Sequence, residues 1–166
     1  MVRSSSNEVR HAAVGGVFAG LIAGTTLTVM MIVMTLARGT DPWYGVKGAA
    51  APIFGQRAME AGYDLLPVVL GFAIHLAISV AWAVPFALLV FGLGRALTVV
   101  AGAAWGIVVW LGMYYVVLPL VGLGAMVHDA PVSRAVGYHV FFGLAVGIAF
   151  LRWQREARAL RAAGAV

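Results

Sequence analysis

Residues Leu65–Gly94 read LLPVVLGFAIHLAISVAWAVPFALLVFGLG, a run without a single Asp, Glu, Lys or Arg. The hydrocarbon of a bilayer is about 30 Å thick, and a helix needs about 20 apolar residues to cross it. The run is therefore long enough to span. In lipid a segment must satisfy its own backbone hydrogen bonds, and a helix does so.

Three further intervals are equally bare of charge: Ala12 to Ala37, Ala96 to His128 and Ala135 to Leu151. We place membrane spans at 12–37, 65–91, 96–121 and 135–153. The last is the shortest, and it continues past Leu151 because Arg152 can snorkel and Trp153 suits the interface. The whole chain follows the same pattern, with 63% hydrophobic and 10% charged residues and a mean hydropathy of +0.98. A soluble domain carries about 25% charged residues, and a chain of 166 residues cannot hide so much apolar surface from water. The expectation is a single all-α membrane domain, a bundle of four transmembrane helices.

Basic residues set the orientation. With both termini in the cytoplasm, the inner segments hold Arg3, Arg10, Arg95, Arg152, Arg155, Arg158 and Arg161, whereas the outer ones hold Arg38, Lys47, Arg57 and Arg134. The basic start could open a signal peptide, but the apolar run behind it exceeds the usual ~7–15-residue core. We read it as an uncleaved signal anchor. Residues 92–95, Gly-Leu-Gly-Arg, predict a tight inner turn that makes helices two and three an antiparallel hairpin. The long outer segment 38–64 mixes apolar residues with Lys47, Arg57 and Glu60, and predicts a short interfacial helix over Val46–Glu60 or a solvated loop. Pro85 predicts a kink in helix two, and Pro119 an end to helix three.

Glycines recur at every fourth position: Gly16, Gly20 and Gly24 in span one, Gly102 and Gly106 in span three, Gly143 and Gly147 in span four. Apolar burial gains little in lipid, so such faces associate by close backbone approach. The spacing leaves open whether they pack within one chain or between chains.

The chain has no cysteine, which removes thiolate ligands, thiol nucleophiles and disulfides. No carboxylate, Lys or Arg lies within the four uncharged intervals, and this argues against an ion-coupled transporter. The polar groups at depth are His75, sharing a face with Gly71 and Ser79, and His139, sharing one with Gly143 and Gly147. Aligning the centres of their spans puts them within about 2 Å of one level, whereas counting from the outer charges separates them by about 9 Å. We prefer the first. Each imidazole either hydrogen-bonds a neighbouring group or, in the sharper reading, joins the other in ligating haem iron or a metal ion.

Met30, Met31 and Met34 read as packing rather than a copper site, having no histidine near them in sequence. His128, Asp129 and Arg134 lack a nucleophile, and Glu8 and Glu156 are not expected to pair as catalytic carboxylates. Arg152, Arg155, Arg158 and Arg161 form a basic stripe suited to anionic lipid headgroups, which accounts for the pI near 10.2 without nucleic acid.

Three strings, His75-Leu-Ala-Ile-Ser79, Pro119-Leu-Val-Gly-Leu123 and Gly137-Tyr-His139-Val-Phe-Phe-Gly143, resemble the YagU-type family of small bacterial inner-membrane proteins of unknown function. The resemblance covers about the last two thirds of the chain. It implies a four-helix inner-membrane architecture with the two membrane histidines, but no reaction. Some similar proteins are labelled sodium/proline symporters, and four spans are too few for the inverted repeats of such carriers. The leading expectation is a non-enzymatic accessory or assembly subunit without cofactor, packing against itself or a larger membrane complex. The alternatives are a haem- or metal-binding protein using His75 and His139, and a channel or carrier for a small neutral solute.

Overall fold

A computed structural model describes residues 2–125 and 131–162, with side chains from residue 6 to 125 and from 131 to 154. Helix α1 (Val2–Ala37) leads into three short helices, α2 (Tyr44–Gly48), α3 (Ala51–Phe54) and α4 (Gln56–Met59). Helix α5 (Leu65–Val90) follows, then α6 (Arg95–Gly112), a π-helical turn (Met113–Val117), α7 (Leu118–Leu120) and α8 (Val132–Ala162). Four stretches are long and apolar enough to cross a membrane: Ser6–Ala37, Leu65–Val90, Arg95–Leu120 and Val132–Gln154. The outward faces carry Val29, Val33, Leu89, Val100 and Ile148, all exposed. Water would penalise so continuous an apolar surface, and lipid does not. The chain is an all-α integral membrane protein folded as a four-helix bundle.

Glycine decides which helices touch. A Cβ on Gly20 would lie 2.7 Å from the Val80 Cα, and one on Gly16 would lie 2.8 Å from the Val84 Cα, so α1 rests on the backbone of α5. Side chains added at Gly102, Gly106 or Gly143 would overlap backbone across the α6/α8 crossing, where Gly147 also sits close to Thr98 and Gly102. All seven glycines of the repeats are therefore occupied within the chain. Helix α1 also packs on α8, whereas the backbones of α5 and α6 scarcely meet. The Gly-Leu-Gly turn makes them antiparallel, as expected. Trp82 and Trp105 stand between them with ring centroids 6.2 Å apart.

The half of the bundle nearer the termini is filled. Phe142, Val146, Phe150 and Gln154, spaced by four along α8, are all buried with Phe86, Ala87 and Val90 of α5. Trp153 belongs to this core and not to the interface: the missing Cβ of Gly15 leaves room for its ring, which stacks on Phe150 and Phe18. Gln154 closes the turn after α5. Its Oε1 accepts from the Gly92 N–H at 2.7 Å, and its Nε2 donates to the Val90 carbonyl at 2.6 Å and the Thr98 hydroxyl at 3.1 Å. Gly92 sits at φ +88°, a conformation that L side chains rarely adopt.

The opposite face is capped by residues 38–64. The single interfacial helix expected there resolves into α2, α3 and α4, with Val46, Lys47, Ala50, Ala51 and Ala58 buried rather than lying on a surface. Gly71 has no side chain to keep the Val46 carbonyl away, so α2 seats directly on α5. Lys47 staples the cap by donating to the carbonyls of Glu60 and Gly62, with the Asp41 carboxylate 3.5 Å away. Asp41 in turn accepts from the backbone N–H groups of Trp43 and Gly62. Burying an ammonium is costly unless it is paired and hydrogen-bonded, and this one is both.

Candidate functional site

Because α5 and α6 meet through aromatic side chains rather than by close backbone approach, the bundle is hollow in its capped half. A chamber of about 400 Å³ lies there, within the range of about 300–1,000 Å³ usual for ligand pockets. Ile74, Ile78, Val117 and Leu118 give it apolar walls, Trp82, Val109 and Phe142 line it towards the filled half, and α2 and α3 border it at the cap. His75 and His139 both line it, so the chamber unites the two histidines that the sequence places on different helices.

Each histidine stands at a glycine crossing. At Gly24 a Cβ would lie 2.6 Å from the Ser79 hydroxyl, so α1 rests directly on the turn of α5 that follows His75. Nε2 of His75 is buried without a hydrogen-bond partner. On the other side, Gly106 lets α6 pack against the backbone of His139. The Nδ1 of His139 lies 2.7 Å from the Ala135 carbonyl one turn earlier, and the ring meets Tyr114 edge-on at 5.7 Å. A carbonyl oxygen brings no proton, so the His139 imidazole donates in this bond and its Nε2 keeps its lone pair.

The α6 wall is irregular where it borders the chamber. The N–H of Leu118 reaches the Met113 carbonyl five residues back. Pro119 follows directly; it has no N–H, and its ring crowds the carbonyl four residues earlier, so the widened turn relieves the clash. The helix thus runs on to Leu120 and ends at Gly122, φ +78°, rather than stopping at the proline. Met113 and Val117, at the ends of this turn, both line the chamber. Trp82 fixes the neighbouring wall by donating its indole N–H to the Met113 sulfur at 3.3 Å, while Trp105 donates to the Trp82 carbonyl at 3.1 Å. That carbonyl lies three residues before Pro85, where the ladder of α5 lacks a donor and the helix nonetheless continues. Ser79 donates to the His75 carbonyl at 2.8 Å.

The other residues singled out from the sequence lie elsewhere. Met30 and Met31 pack against the core, and Met30 and Met34 border a shallow groove with Arg38 and Arg134. His128 and Asp129 fall outside the described residues, as do the side chains of Arg155, Glu156, Arg158 and Arg161. Arg152 is exposed, with its guanidinium 5.4 Å from the Trp153 ring centroid. Gln154, Lys47 and the π turn went unread in the sequence. A signal existed for Gln154, since its spacing of four continues the buried series from Phe142. Comparison with protein-family models, curated proteins and solved structures finds no match for this chain.

Proposed function

We propose that the protein binds a small, largely apolar, membrane-soluble molecule in the chamber between α5, α6 and α8, with His75 and His139 as its polar contacts. The observation that carries this is one largely apolar cavity lined by both imidazoles, with Nδ1 of His139 tied back to the Ala135 carbonyl. Binding rather than turnover fits a lining that, among the described residues, holds no carboxylate, lysine or arginine. The bacterial inner membrane, with both termini in the cytoplasm, is the location proposed on the asymmetry of basic residues.

The accessory-subunit reading drew on glycine faces in search of partners, and those faces are filled within the chain. A channel gains no support from a chamber that adjoins a filled half. A haem or metal site would use the same two imidazoles. Among the described residues no group of three His, Cys, Asp or Glu could close around an ion, and two imidazoles alone make a sparse donor set.

Protein purified in native lipid and extracted with organic solvent tests the proposal. Mass spectrometry should find a small molecule in stoichiometric amount that is depleted in His75→Ala and His139→Ala. An absorption spectrum of the same preparation distinguishes haem. An unliganded wild type, or a ligand retained equally by both variants, would refute the reading.

A further inference from the structure

The cations at the cap end of the bundle divide into two kinds. Lys47 lies 3.5 Å from the Asp41 carboxylate, and Arg57 is paired with Asp64 at 2.7 Å. Arg38 and Arg134 meet no carboxylate among the described residues. One follows the end of α1 and the other stands in the first turn of α8, and the fold brings both to a single groove between those helices. We infer that this groove seats an anionic phospholipid, its phosphate held by Arg38 and Arg134 and an acyl chain lying between α1 and α8. The site is separate from the chamber and does not depend on it.

The groove runs from polar to apolar along the helices, as a phospholipid does. At its rim Nη1 of Arg38 donates to the Tyr138 hydroxyl at 3.3 Å, which fixes the guanidinium across the groove and leaves the phenol proton for another acceptor. Ser133 adds a second hydroxyl. Met34 and Met30 follow one and two turns deeper than Arg38, about 6 and 12 Å along the axis, and Phe141 lies about 10 Å deeper than Arg134. Gly137 completes the floor, where a Cβ would meet nothing within 4 Å, so the missing side chain leaves open space and not a helix contact. Guanidinium and phosphate make charge-assisted, often bidentate hydrogen bonds. The ammonium of a zwitterionic headgroup would instead face two cations and, among the described residues, no lining carboxylate. A free phosphate would make no use of the apolar floor.

Native mass spectrometry of the delipidated full chain, titrated in detergent with phosphatidylglycerol or phosphatidylethanolamine of identical acyl chains, tests the site. The first phosphatidylglycerol is expected to bind wild type about tenfold more tightly than the first phosphatidylethanolamine. Arg38→Gln/Arg134→Gln should remove most of that preference. Arg155→Gln/Arg158→Gln takes the same charge from the C-terminal stripe and should reduce it far less. Gly137→Leu keeps both arginines but fills the floor, and should weaken the first phosphatidylglycerol several-fold. Thermal melting without added lipid confirms that each variant is folded. Equal binding of the two lipids to wild type, or an equal loss in the two double variants, would reduce the effect to net charge and overturn the inference. Undiminished phosphatidylglycerol binding in Arg38→Gln/Arg134→Gln would overturn it too, and in Gly137→Leu would show that no acyl chain lies in the groove, with the same consequence.

Discussion

The two halves of the bundle are built from the same helices and end up as opposite kinds of interior. Towards the termini, Phe86, Phe150 and Trp153 fill the space and Gln154 ties the α5–α6 turn to α8. Towards the cap, the same four helices line a chamber with two imidazoles on its wall. Helix packing explains the contrast. Small residues draw α1 onto α5 and α6 onto α8, while no such face joins α5 to α6. Aromatic bulk closes the gap at one end and leaves it open at the other. A fold selected only for stability has no reason to leave that gap, since each unfilled volume forfeits dispersion contacts.

Substitutions can break this contrast, and the largest effect belongs to the crossing that both halves share. Gly143→Val puts a branched side chain into the backbone of Gly102 and Gly106. It should cost more than about 3 kcal/mol, the upper part of the overpacking range, and appear as loss of the folded species in a thermal scan. In the filled half, Phe150→Ala should cost about 3–5 kcal/mol by leaving a cavity, measured by the same scan. Gln154→Leu strands the Gly92 N–H and the Val90 carbonyl, for about 1–3 kcal/mol. In the hollow half, Ile78→Ala enlarges a space that is already open, and a shift well below that of Phe150→Ala is expected. A comparable shift would mean the chamber is as tightly packed as the core.

The smallest effect concerns the cap. Arg57 forms a two-bond ion pair with Asp64, at 2.7 and 3.1 Å, and this hydrogen bonding holds the Asp64 carboxyl below its ordinary range. A carboxylate whose folded value is depressed stabilises the fold above its unfolded value, and that contribution is lost as pH falls through the folded value. Thermal scans from neutral to strongly acid pH should therefore show a slight acid-side loss that Asp64→Asn removes. The pair is solvent-exposed and the effect small.

The four spans were legible because lipid imposes a length and a composition on each of them, and Leu65–Val90 meets both without exception. The glycine spacing identified the contact faces but not their partners, since a Gly-xxx-Gly face can receive any backbone. The turn at 92–95 likewise gave the antiparallel course of α5 and α6 but not the gap that opens between them towards the cap. The histidines were found as polar groups at depth, and their common chamber depends on which helices fail to approach closely, a tertiary fact. Lys47 was read as a surface charge in the outer segment. Its burial is set by the Glu60 and Gly62 carbonyls and by Asp41, brought together only when the cap folds.

A structure of the wild-type protein in nanodiscs of native lipid, at a resolution that shows side-chain rotamers, tests the chamber most directly. It should show non-protein density in the capped half in contact with both His75 and His139. A chamber collapsed onto its own side chains, or one empty of any density beside the two rings, would contradict it.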